Sequence, residues 1–169
     1  MLTIANHKAD FETLKITIVG DLKHSRVARS QICAMQKLGA ADIQLVAPDS
    51  LQLEVSGSSI THSDDLKTSV KDADVVIALR TQVERMASDD VPNPEVYRQA
   101  FGLSEATLAL AKPDAILMHP GPVVRGIELD DATADGPQSV ILEQVTCGVA
   151  MRMAILQMLS DSKPALHIV

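Results

Sequence analysis

Short apolar runs recur along this chain, each cut off by a glycine, a proline, a histidine or an arginine, and stretches with helical periodicity lie between them. Residues 15–19 run into Gly20, 43–47 into Pro48, 75–79 into Arg80, and 115–118 into His119. Runs of this length suit strands buried on both faces, and strands that alternate with helices build a parallel sheet through right-handed crossovers. The alternation predicts an α/β fold in three layers, αβα, around a parallel sheet of about five strands. A length of 169 residues fits a single domain with a full hydrophobic core.

Helical periodicity runs over residues 25–38, with Gly39 as its C-cap. Shorter helices are expected over 64–70, 95–101 and 104–111, and the Ser- and Gly-rich stretch 53–61 holds at most a short third strand around Ile60. Between Arg80 and Pro94 lies an irregular stretch containing Asp89 and Asp90, long enough to be functional or mobile. The last helix, over about 139–159, breaks the amphipathic rule. Leu142, Val145, Val149, Met151, Met153, Ile155, Leu156 and Met158 spread around its circumference, so it expects burial on most sides, whereas one sheet covers only one.

A formal charge of −7 supplies no basic stripe to displace counterions from phosphates, which argues against a nucleic-acid partner. Cys33 and Cys147 match no zinc or redox spacing and read as two reduced, buried thiols of a cytoplasmic protein. Residues 1–10 lack the apolar core of a signal peptide, and no uninterrupted apolar run is long enough to cross a bilayer.

Ligands of open α/β sheets bind beyond the carboxyl ends of the strands, and three segments fall there. In the first, Gly20 to Ser30, there is neither a G-x-G-x-x-G nor a G-K-[ST] pattern, which disfavours a dinucleotide site and a P-loop. Arg26 falls in the first helical turn, where the helix dipole also favours an anion; alternatively Ser25 caps the helix and Arg26 and Arg29 are solvated. In the second, Arg80 ends an apolar strand, and in extended chain Arg80 and Gln82 point the same way, so both can reach one ligand carboxylate or phosphate. The other reading is that Arg80 and Arg85 pair on the surface with Glu84 or a nearby aspartate. The third, His119-Pro120-Gly121-Pro122, is a rigid turn with carbonyls free to hold a ligand's N–H groups, stiffened further by a cis bond at Gly121-Pro122. His119 reads as a hydrogen-bonded scaffold residue rather than a base, and Asp21, Glu84 and Asp135 as carboxylates that orient arginines. No residue is assigned as a catalytic acid, base or nucleophile, and no metal-ligand spacing is present. Such a site suits a reaction driven by positioning and electrostatics.

Taken in order, GDLKHSRVARS, LRTQVERM, Phe101-Gly102-Leu103, MHPGPVVRG and ADGPQSVILEQV resemble the aspartate-binding half of bacterial aspartate carbamoyltransferases over essentially the whole chain. The resemblance implies a Rossmann-like domain and a reaction without a cofactor. Carbamoyl phosphate and L-aspartate would give N-carbamoyl-L-aspartate and phosphate in pyrimidine biosynthesis. By the same resemblance Arg26 and Arg80 would clamp the two aspartate carboxylates, Gln82 would add a contact, and Pro120, Gly121 and Pro122 would offer backbone groups to the carbamoyl end and the attacking amine. Ornithine carbamoyltransferases typically read His-Cys-Leu-Pro at the turn and carry a Ser-Met-Gly loop not found here, so an acidic amino acid is the expected substrate. Val124 and Cys147 stand where relatives frequently have asparagine, neither at a ligand position.

The family's carbamoyl-phosphate domain, with its Ser-Thr-Arg-Thr and His-Pro-Thr-Gln motifs, normally precedes the point where this chain starts. Residues 1–169 are therefore expected to be one aspartate-binding domain, from a truncated gene product or an excised domain. Residues 1–11 would be a remnant of the interdomain helix, and the helix over 139–160 would pack on the missing domain. Such a chain would be inactive alone and would meet carbamoyl phosphate only with its other half. Its uncovered terminal helices would favour self-association. The alternative is a non-catalytic aspartate-binding or assembly module derived from a carbamoyltransferase.

Overall fold

The four apolar runs and the segment at Ile60 all become strands: β1 (Lys15–Val19), β2 (Asp42–Val46), β3 (Ile60–Ser63), β4 (Val75–Ala78) and β5 (Ile116–Met118). They form one sheet in the order β3-β2-β1-β4-β5 with every pair parallel. The structure, a computed structural model, describes residues 1–82, 84, 86 and 92–161. Arg85, Asp89 and Asp90, and with them most of the irregular stretch expected before Pro94, lie outside the described residues.

Helices α1 (Leu2–His7), α2 (Arg26–Lys37), α3 (Leu66–Val70), α4 (Pro94–Phe101), α5 (Glu105–Leu108), α6 (Asp131–Ala134) and α7 (Ile141–Asp161), with two short 3-10 turns at Phe11–Thr13 and Asp49–Leu51, complete the described elements. One cavity is lined jointly by residues of α1, α2 and α7, and another by α3, α4, α5 and Asp130, the residue that caps α6. The helices thus form two groups flanking the sheet, the expected three layers. Central strands explain the fully apolar runs: Ile16, Ile18, Val75, Val76 and Ile77 are completely buried. Each such side chain contributes roughly 1.5–3 kcal/mol by leaving water. Thr17, the polar exception in β1, is tolerated because its hydroxyl donates to the Ser69 carbonyl at 2.7 Å.

Local signals set the element ends. The Ser25 hydroxyl accepts the Ala28 N–H at 3.0 Å, and Ser104 likewise caps α5, so both serines stand outside the helices that the periodicity assigned them to. Along α2, Ala28, Ile32 and Met35 face the core. Cys33, one position beyond Ile32, is rotated about 100° off that face and is exposed, which corrects its expected burial; Cys147 is buried. Gly39, at φ +81, follows the end of α2 in the left-handed conformation that glycine favours.

α1 is held by Lys8, whose ammonium donates to the Asp114 carbonyl and carboxylate, both at 2.7 Å, and by His7 and Asn6, which reach Glu143 on α7. α7 itself is left open to solvent. Among its described residues only Cys147 is buried, whereas Leu142 is 84% and Leu156 68% exposed. No described helix is long and apolar enough to cross a membrane.

Candidate functional site

The sheet order reverses direction between β1 and β4: from β1 the chain proceeds to β2 and β3 on one side, then crosses to β4 and β5 on the other. At such a switch point the loops leave in opposite directions and open a crevice at the carboxyl edge. Gly20, Arg80 and His119 stand at the carboxyl ends of β1, β4 and β5 there. At Gly20, φ is +128, and a Cβ would come within 2.7 Å of the Leu79 carbonyl oxygen and 3.0 Å of its Cβ. Only glycine lets the ends of β1 and β4 approach this closely.

Two buried carboxylates then fix the segment that follows β4. Glu128, 2% exposed, accepts the Thr81 N–H at 2.7 Å, and Asp21, fully buried, accepts the next one, Gln82 N–H, at 3.2 Å. Asp21 arrives from the end of β1 and Glu128 from beyond β5, so the three segments singled out in the sequence are joined through Thr81 and Gln82. Asp21 also takes the His24 N–H at 3.1 Å and contacts His24 Nδ1 at 2.9 Å. That corrects its expected role: it orients a histidine and a backbone rather than an arginine. Tyr97 lies buried nearby; burial, and beside it the charges of Glu128 and Asp21, push its phenol far above the ordinary value.

Arg80 forms a two-toothed contact with Glu84, Nη1 to Oε1 at 2.8 Å and Nη2 to Oε2 at 3.1 Å. Glu84 thus orients this arginine as expected, and the same contact is also the surface pair of the second reading. Arg80 lines a hollow of about 240 Å³ with Thr81, Glu84, Tyr97 and Glu128. Gln82 is half-buried, and Arg26 stands exposed as the first residue of α2, beyond the Ser25 cap. Pro120 lines a second cavity, of about 420 Å³, with Val27 and His119, and Gly121 and Pro122 border a third, of about 510 Å³. The residues named for the site therefore share one sheet edge without sharing one hollow.

The turn after β5 contains the cis Gly121-Pro122 bond, with Gly121 at φ +72. The Gly121 N–H donates to His119 Nδ1 at 2.9 Å, and neither proline has an N–H. None of the carbonyls of Pro120, Gly121 and Pro122 accepts a hydrogen bond among the described residues. The turn therefore presents acceptors only. Asp135 orients an arginine as expected: Arg125 reaches its two oxygens at 2.8 and 2.9 Å and Asp131 at 2.9 Å, holding the Asp135 carboxyl below its usual value and raising its own.

Glu128 was not anticipated from the sequence. Its signal is a carboxylate between Ile127 and Leu129, where a polar residue flanked by apolar ones is buried only with partners. Of those partners, Val124 lies four residues upstream in the same loop, whereas Thr81 belongs to the segment after β4, which the local pattern does not reveal.

Residues 12–159 match the family model described as aspartate/ornithine carbamoyltransferase, Asp/Orn binding domain. The chain is 54% identical over 160 residues to an aspartate carbamoyltransferase catalytic subunit of Ruthia magnifica subsp. Calyptogena magnifica, covering 94% of this chain and 50% of the relative. A second such subunit, from Vesicomyosocius okutanii subsp. Calyptogena okutanii (strain HA), is 51% identical over 162 residues, 95% of this chain and 51% of the relative. Among solved structures, aspartate transcarbamoylase from Trypanosoma cruzi in complex with carbamoyl aspartate and phosphate superposes with a TM-score of 0.78 at 28% identity, covering 92% of this chain and 52% of that one. The chain spans about half the length of the curated relatives it matches. It belongs to the aspartate/ornithine carbamoyltransferase family, whose Asp/Orn-binding domain it contains.

Proposed function

We propose that this chain is the aspartate-binding half of an aspartate carbamoyltransferase, joining carbamoyl phosphate to L-aspartate in de novo pyrimidine biosynthesis, and that it does not turn over by itself. The observation that carries this reading is the pinning of Arg80-Thr81-Gln82 at the switch point by carboxylates from the two other site loops, Asp21 and Glu128. The likeness to aspartate-named subunits favours aspartate over ornithine. Arg26 and Arg80 clamp the two carboxylates of aspartate and Gln82 adds a contact, which orients the amine. The acceptor-only turn of Pro120, Gly121 and Pro122 suits the N–H groups of that amine and of the carbamoyl end.

In the reaction the neutral amine attacks the carbamoyl carbon, forming a C–N bond as the C–O bond to phosphate breaks and the amine releases a proton. Charge that builds on the carbamoyl oxygen and the phosphate is met by a carbamoyl-phosphate domain supplied from outside this chain, as the half-length coverage of the relatives suggests. Exposed α7, beside α1, is the surface on which that domain docks. The free thiols Cys33 and Cys147 fit a cytoplasmic setting.

Calorimetric titration with aspartate and with succinate, which has both carboxylates but no amine, tests the clamp. Wild type should bind, and Arg80→Ala should lose roughly ten- to a hundredfold in affinity. Absence of binding by wild type would count against Arg26 and Arg80 as an assembled clamp.

A further inference from the structure

Glu128 serves more than one loop. Beside the Thr81 N–H on Oε1, its Oε2 accepts the Val124 N–H at 2.8 Å and lies 3.5 Å from His119 Nε2. His119 is 1% exposed, its own N–H donates to Gln144 Oε1 at 3.1 Å, and its Nδ1 accepts the Gly121 N–H. A ring nitrogen that accepts carries no proton, so the ring proton sits on Nε2, the nitrogen facing Glu128. Neither nitrogen is left to take a proton from a substrate amine. Hydrogen bonds join Gly121 to His119 and join Thr81 and Val124 to Glu128; between the two sets His119 Nε2 faces Glu128 Oε2 at 3.5 Å without a hydrogen bond.

Given the aspartate site proposed above, we infer that His119 and Glu128 are positioning residues, a buried bridge that holds the acceptor turn of Pro120, Gly121 and Pro122 in register with Arg80-Thr81-Gln82. Carbamoyl acceptors and aspartate clamp come from loops far apart in sequence, and a small misplacement between them lengthens the approach of amine to carbon. A carboxylate is required at the centre because each of its two oxygens accepts a backbone N–H, Thr81 on Oε1 and Val124 on Oε2, with the His119 ring beside them. Glutamine offers one oxygen and one NH₂, so Glu128→Gln must set a donor against a donor and leave Thr81 or Val124 unpaired in a buried place.

The test takes the whole chain, wild type and Glu128→Gln, and reads backbone amide exchange, the imidazole nitrogen spectrum of His119, and succinate affinity. Wild type should show slow exchange at Thr81 and Val124 and a single His119 tautomer protonated on Nε2. In Glu128→Gln, exchange at Thr81 or Val124 should rise roughly ten- to a hundredfold and succinate should bind at least about tenfold more weakly, with β1 and β4 still protected. A wild-type His119 protonated on Nδ1, or fast exchange at both amides, overturns the bridge, and neither measurement needs the variant to fold. Unchanged succinate affinity in a Glu128→Gln chain that has lost the protection overturns the positioning role. Failure of the wild type to bind succinate overturns that role together with the aspartate site, while exchange and tautomer still report whether the bridge exists.

Discussion

At Gly20 the backbone itself is part of the site, because a side chain there would meet the Leu79 carbonyl at 2.7 Å in a conformation, φ +128, that L residues avoid. Gly20→Ala should therefore cost roughly 1–3 kcal/mol, measured by urea unfolding, and should weaken dicarboxylate binding by parting β1 from β4. A variant as stable as wild type would contradict the close approach. Ser25→Ala removes the cap in front of Arg26 and should cost about 0.5–2 kcal/mol in the same measurement. At this scale the sequence told which residue types stand at the strand ends, since each run stops at a glycine, arginine or histidine. It did not tell what holds them: Asp21 meets Gln82 across 61 positions and Glu128 meets Thr81 across 47, and such pairings follow from topology rather than from local pattern.

Strands were legible because central ones in a parallel sheet carry unbroken apolar runs; β3, an edge strand with its middle residues exposed, gave the faintest signal for the same reason. Helix ends shift by the serine caps, and Cys33 is exposed where burial is expected, because an apolar residue need not lie on the apolar face. α7 keeps its sequence-level puzzle in the structure: Leu156 and Met158 are 68% and 72% exposed. A bare helix of this kind should drive self-association. Light scattering should give a mass that rises with concentration and falls back towards the monomer in Leu156→Glu; a clean monomer of the wild type at high concentration would contradict it.

The pairing of α1 has its own pH signature. Hydrogen bonds from Lys8 lower the Asp114 carboxyl from 3.8, and bonds from His7 and Asn6 lower that of Glu143 from 4.5. A carboxyl whose folded value is depressed contributes stability that is complete above its unfolded value and is lost as pH falls through the folded one. NMR signals of Leu2–His7 should therefore move to unfolded positions on acidification below about pH 4, before β1 and β4 unfold. Signals of α1 that persist until the sheet unfolds would contradict this anchoring.

On the scale of the whole molecule, a family domain with its switch-point crevice and a long uncovered helix is proposed to be one half of a two-part active site, with an arginine clamp at its edge. Its fold could be read from alternation alone, and its family from five short motifs; the bridge that joins the site loops, and the division of the named residues over several hollows, required the structure. The central claim is that this half supplies aspartate and the other half supplies carbamoyl phosphate. Carbamoyl aspartate formation should be measured for this chain alone, for its mixture with the remaining half of a related catalytic subunit, and for that mixture with Arg80→Ala. No product is expected from the chain alone, product from the mixture, and its loss with Arg80→Ala; turnover by the chain alone, or undiminished turnover in the Arg80→Ala mixture, would contradict this division.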